Sequence, residues 1–208
     1  MLSAFAKQQK KKVIFFGDSI TQAGVGPTGF ITLLQQDLNK AGKSRDFELI
    51  GAGIGGNKVY DLYLRLEDDV LSKKPDLVFI YIGINDVWHK RSFGTGTDPD
   101  KFEKFYNRII EKIQAGGAKV VICTPTVIGE KKDFVNELDG DLNKYAEIIR
   151  GIAGNKNVEL LDLHKATIAY INAHNPDNKS QGILTQDGVH MNETGNRFLA
   201  DQFAPYIK

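Results

Sequence analysis

Ser19 stands in Phe15-Phe16-Gly17-Asp18-Ser19-Ile20-Thr21, where an apolar run near the start of the chain stops. Asp187 and His190 lie three positions apart near the other end, in Asp187-Gly188-Val189-His190. A hydroxyl, an imidazole and a carboxylate are the parts needed to attack a carbonyl at neutral pH. The imidazole removes the hydroxyl proton, and the carboxylate holds the imidazole in the right tautomer. Asp-x-x-His is short enough to close as one turn, with Asp187 accepting from one ring nitrogen and the other left free as a base. Gly17, Asp18 and Ser19 are equally the residues of an ordinary turn, and a histidine before a helix capped by Asn192 is equally ordinary. Only a fold that brings the two ends of the chain together favours the chemical reading.

Two further segments bear on the same chemistry. Gly83-Ile84-Asn85-Asp86 follows the third apolar run, and the Asn85 amide is a candidate donor to an oxyanion beside Ser19. Gly51, Gly53 and Gly56 match the G-x-G-x-x-G dinucleotide pattern. That reading needs an acid at the end of the next strand, about 20 residues on. Asp76 precedes that strand and Asp86 comes too late, which disfavours a dinucleotide-dependent oxidoreductase. The glycines instead offer a bare backbone N–H to a substrate oxygen. The Gly-x-Ser-x-Gly nucleophile elbow is absent, because Thr21 stands two after Ser19. Asp162 and His164 are two apart but lack a third residue spaced to complete a metal site. Cys123 is the lone cysteine, so no intrachain disulfide forms.

The elements that must position these groups alternate. Val13–Phe16, Phe47–Ile50, Leu77–Ile82, Lys119–Cys123 and Val158–Leu161 read as short buried strands. Helical patterns cover Gly29–Lys40, Val59–Ser72, Asp100–Ala115, Gly140–Ala153, His164–His174 and Glu193–Tyr206. Such alternation predicts an α/β fold with a parallel sheet and right-handed crossovers, a three-layer αβα sandwich. Thr21–Thr28, Val87–Asp98 and Asn175–Gln186 read as long loops. The first two leave the carboxyl ends of strands, where ligands bind in open sheets of this class. Phe30, Tyr60, Trp88, His89, Arg91 and Phe93 are candidate walls. Tyr60, Trp88 and His89, together with Asp18, are the candidate substrate-binding residues.

The chain has 208 residues, a net charge of +1, 41% apolar and 25% charged residues, which fits one domain with an ordinary core. So small a charge excess argues against nucleic acid as a partner. Residues 1–12, with Lys7, Lys10, Lys11 and Lys12, read as a basic N-terminal arm. No stretch approaches the ~20 apolar residues of a bilayer span, which argues against stable membrane association. Met1–Ala6 ends in Ala4-Phe5-Ala6, similar to a small-x-small cleavage site and compatible with a trimmed export signal. That points to a periplasmic or secreted protein, with the cytoplasm as the alternative. The sequence leaves the oligomeric state open.

The four segments occur together and in order: Gly-Asp-Ser-Ile, the paired glycines after strand two, Gly-x-Asn-Asp after strand three, and Asp-x-x-His near the end. In this the chain resembles the SGNH hydrolases, also called the GDSL esterase/lipase family, from about Val13 to Tyr206. The resemblance implies a flavodoxin-like five-stranded parallel sheet in the order 2-1-3-4-5. It implies Ser19 as nucleophile, His190 as base and Asp187 as its partner. Ser19, Gly56 and Asn85 would supply the oxyanion donors, with Gly55 as the alternative to Gly56, and with no cofactor and no metal. Two positions depart from the family pattern, Gly51 where Asn is common and Met191 where Pro or Leu is common, and both bear on subfamily. The implied activity is carboxylic ester hydrolysis through an acyl-enzyme. The interleaved aromatic and polar walls, with no long apolar segment to form a lid, point to short acyl groups, acetyl above all, on a carbohydrate. A lysophospholipase or thioesterase of the same fold is the alternative within the class. A non-catalytic carbohydrate-binding module is the alternative outside it.

Overall fold

The computed structural model describes residues 9–208; the cleavage-site-like stretch Met1–Ala6 and Lys7 lie outside the described residues. In chain order the elements are β1 (Lys11–Gly17), α1 (Ser19–Ala23), α2 (Phe30–Lys40), β2 (Phe47–Gly53), α3 (Val59–Asp69), β3 (Leu77–Tyr81), α4 (Ile84–Phe93), α5 (Pro99–Ala115), β4 (Lys119–Cys123), α6 (Asp139–Lys156), β5 (Glu159–Leu161), α7 (Leu163–His174) and α8 (Glu193–Phe203). The five strands form one parallel sheet in the order β2-β1-β3-β4-β5. Val13–Phe16 in β1 and Val78–Tyr81 in β3 are buried at every position. Such runs need cover on both faces, which is why they read as continuous apolar stretches with no alternation. Helices α2 and α8 pack together, and α3, α5 and α6 form a second packed set.

Register is what positions the site. Gly17 pairs with Gly53 on one side and with Tyr81 on the other. Strands β2, β1 and β3 therefore end level, and the residues that follow each of them enter the same space.

The C-terminal segment is anchored by aromatic packing. Phe203 of α8 stacks on Phe30 at 5.1 Å and meets Phe15 and Phe79 edge-on at 5.4 and 5.0 Å. All four rings are fully buried, and each contributes about 2–3 kcal/mol by leaving water. The Asn196 side chain accepts from the Phe30 N–H at 3.1 Å, and Arg197 pairs with Asp37 at 2.7 Å. These contacts pin α8 beside α2, so the turn just before α8 lies over the end of β1.

Two expectations are corrected. Lys11 and Lys12 are not a solvated arm: they begin β1 and pair with Phe47 and Glu48 of β2. Thr21–Ala23 and Val87–Phe93, expected as loops, are helical, in α1 and α4. The glycine pattern does not make a dinucleotide loop, because Gly51 and Gly53 are strand residues of β2. A Cβ on Gly53 would lie 2.6 Å from the Asp18 carbonyl oxygen, so this glycine allows α1 to cross β2 closely. Asp76 sits at the opposite end of the sheet, accepting the Lys12 N–H at 2.7 Å.

Candidate active site

Asp18 directly follows β1 and caps α1, its side chain accepting the Ile20 N–H at 3.0 Å. Ser19 is the first helical residue, so its hydroxyl stands at the carboxyl end of the sheet. The Ser19 Oγ lies 3.0 Å from Nε2 of His190. Nδ1 of His190 lies 2.7 Å from Oδ2 of Asp187. The other oxygen of Asp187 accepts the backbone N–H of His190 at 2.7 Å and of Val189 at 3.0 Å. The carboxylate thus holds both the ring and the turn that carries it. Burial opposes its charge, but the bonds from His190 and Val189 prevail and hold the carboxyl below the usual range.

The amides around Ser19 are mostly occupied. In residues 54–59 the Ile54 N–H donates to Gly17, Gly55 to the Gln22 side chain at 2.8 Å, Asn57 to Ile54, Lys58 to Asp61 and Val59 to Asp86. Gly56 is the one amide of this segment without an acceptor among the described residues. Its φ of +76° is in the left-handed region, where glycine is favoured. The Ser19 N–H likewise has no acceptor among the described residues. Asn85, in the first turn of α4, is 2% exposed. Its Nδ2 donates to the Asn57 carbonyl at 3.1 Å, leaving the second N–H of that amide free. Free N–H groups at these three positions are what a developing oxyanion requires.

The remaining candidates divide. The Trp88 ring lies 6.3 Å from that of His190, and Cε1 of His89 would sit 3.7 Å from a Cβ placed on Gly56. Both border the centre. Burial, and then the nearby Lys58 charge, push the His89 imidazole down. Asp18 does not face substrate: it is 2% exposed and committed to capping α1. Burial pushes its carboxyl up to about 6, against the Ile20 N–H and the charge of His190. Tyr60 donates its hydroxyl to the Thr95 carbonyl at 3.1 Å. His164 and Asp162 have internal roles. Nδ1 of His164 meets the Thr126 carbonyl at 2.6 Å, and Asp162 pairs with Arg150 at 2.8 Å.

Two residues that sequence reasoning passed over organise the site. Glu130 is fully buried, and its carboxylate accepts the N–H groups of Ile183, Leu184 and Thr185 at 2.7, 2.6 and 2.7 Å. It shapes the irregular segment that leads into Asp187. Arg65, on α3, reaches the ends of β1 and β2. No spacing signal marks either one, since each reads as a charge on a solvated surface.

A cleft of about 360 Å³ runs beside Asp187 and Trp88, bordered also by Glu137, Ser180 and Gln181.

The sequence model of the GDSL-like Lipase/Acylhydrolase family matches residues 15–198. An acetylxylan esterase of Geobacillus stearothermophilus is 27% identical over 93% of this chain and 92% of its own. A solved acetyl xylan esterase is 60% identical, covers 95% of this chain and 100% of its own, and superposes with a TM-score of 0.94. A catalytic mutant of the Geobacillus stearothermophilus acetylxylan esterase, with a serine replaced by alanine, is 25% identical over 96% of this chain and 95% of its own, with a TM-score of 0.82.

Proposed function

The chain belongs to the GDSL-like Lipase/Acylhydrolase family, and from that membership we propose a serine esterase that removes short acyl groups, acetyl above all, from a carbohydrate. It is a carboxylic ester hydrolase. The observation that carries the reading is the 3.0 Å approach of Ser19 Oγ to His190 Nε2.

In this mechanism His190 Nε2 takes the Ser19 proton as Oγ attacks the ester carbonyl carbon. The carbonyl oxygen becomes an oxyanion held by the N–H groups of Ser19 and Gly56 and by the Asn85 amide. Asp187 keeps Nδ1 protonated and stabilises the imidazolium. The tetrahedral species collapses, the C–O bond to the alcohol breaks, and His190 returns the proton to the departing oxygen. Water, deprotonated by His190, attacks the acyl-enzyme and frees the acid and Ser19. Gly56 is preferred to Gly55 as the glycine donor, because the Gly55 N–H is bound to Gln22.

The carbohydrate assignment is supported by the relatives named as acetylxylan esterases and by the open cleft beside Trp88 and Asp187. Hydrolysis rates on acetylated xylo-oligosaccharides, set against p-nitrophenyl esters from acetate to octanoate, test it. Acetate preferred over octanoate and release of acetate from the oligosaccharide are expected. A preference for octanoate with no oligosaccharide turnover overturns the substrate assignment.

A further inference from the structure

Asn85 works as an oxyanion donor only if its amide is aimed, and the Asn57 carbonyl does the aiming. Asn57 is itself held from its other side. Its Oδ1 accepts from Nε of Arg65 at 2.7 Å. The same guanidinium donates through Nη2 to the carbonyls of Gly17 at 2.7 Å and Ala52 at 3.0 Å, and through Nη1 to Asp69 at 2.6 Å. Its plane lies over the Phe16 ring at 4.5 Å, and its side chain is only 14% exposed. One planar cation therefore ties the end of β1, the end of β2 and the loop carrying Gly56 and Asn57 into a single unit. Lysine has no equivalent fork and makes a point contact only.

We propose that Arg65 is a positioning residue of the oxyanion hole, acting through the side chain of Asn57 to fix the carbonyl that orients the Asn85 amide. This rests on the role proposed for Asn85. Arg65 touches no substrate; its effect falls on the transition state, where the oxyanion exists, and not on ester binding. Misplacing a donor costs less than deleting it, about ten- to a hundredfold against ~10²–10³.

The test is a set of kinetic cycles on p-nitrophenyl acetate using Arg65→Lys, the milder Asn57→Ala, and Asn85→Ala. Asn57→Ala removes only the acceptor for Arg65 and keeps the backbone carbonyl, so it guards against an Arg65 variant that fails to fold. Each of the first two should lower kcat about ten- to a hundredfold with KM within about twofold. Combined with each other, or with Asn85→Ala, they should add little further loss, because all three act on one group. Full multiplication of the losses, unchanged kcat in folded Asn57→Ala, or a change confined to KM would overturn the proposal. If Asn85→Ala alone keeps full kcat, the role of Asn85 fails and this proposal fails with it. If Asn85→Ala loses activity while Arg65→Lys and Asn57→Ala do not, only the relay fails.

Discussion

Ser19 Oγ and His190 Nε2 lie 3.0 Å apart although 171 positions separate them. The distance follows from packing. Phe203, thirteen residues beyond His190, is wedged among Phe15, Phe30 and Phe79. Phe15 stands four residues before Ser19 on β1. The aromatic core thus brings the ends of the chain together, and the Asp187–His190 turn is carried on that join.

Replacing Asp187 by Asn should leave the turn standing and damage the chemistry. The amide oxygen can still accept the backbone N–H groups, but the NH₂ cannot accept from Nδ1, so the ring loses its tautomer. The equivalent change in the serine-protease template costs about 10⁴ in kcat. The Asp187 side chain is 47% exposed, so water can partly replace it, and a loss of about 10²–10³ is expected. Steady-state kinetics with a thermal melt check this; a variant within about tenfold of the parent would remove Asp187 from the orienting role.

Glu130→Gln should weaken the segment that carries Asp187. One amide oxygen cannot serve all three N–H groups at Ile183, Leu184 and Thr185, and the NH₂ faces donors. An unsatisfied buried donor costs about 1–3 kcal/mol, so a fall of that size in urea unfolding free energy is expected. Unchanged stability would show that the segment finds other acceptors.

Asp18 gives a pH signature. Its ordinary value is 3.8 and in the fold it is pushed up to about 6, burial being the main cause. Between those values the unfolded chain has released the proton while the native state keeps it. Its contribution to stability is therefore full below about pH 4 and declines as pH rises through about 6, by something on the order of 3 kcal/mol. Asp187 acts in the opposite sense. Its carboxyl is held below the usual range, so its contribution is present above about pH 4 and is lost as pH falls through its folded value. Unfolding curves from pH 4 to 7 should show Asp18→Asn, which keeps the cap acceptor, with a shallower decline than the parent. Parallel curves would contradict the buried protonated carboxyl.

The cleft predicts a substrate-selective effect. Gln181→Ala should raise KM for an acetylated xylo-oligosaccharide by about two- to tenfold, the worth of one hydrogen bond. KM for p-nitrophenyl acetate, which carries no sugar, should not move. Equal effects on both substrates would remove the cleft from sugar binding.

The strands were legible because β1, β3 and β4 are apolar at nearly every position, and the level ends of β1 and β3 follow from the implied strand order. Helix α4 was not legible. Its buried residues are Ile84, Asn85, Asp86 and Val87, four in succession. A helix that buries its first turn instead of one stripe leaves no 3.6-residue period to detect. Helix α1 has five residues, too few to show any period. Glu130 and Arg65 escaped for another reason: a charge whose value lies in backbone carbonyls and N–H groups brought close by the fold looks like any surface charge in a linear chain.

The central claim is that Ser19 carries the acyl group. Incubation with a serine-reactive phosphonate ester, followed by peptide mass spectrometry, tests it directly. One phosphonyl group on the peptide containing Ser19, formed in step with the loss of esterase activity and much slowed in His190→Ala, is predicted. Full inactivation with the label on another residue, or full labelling of Ser19 with esterase activity intact, would contradict it.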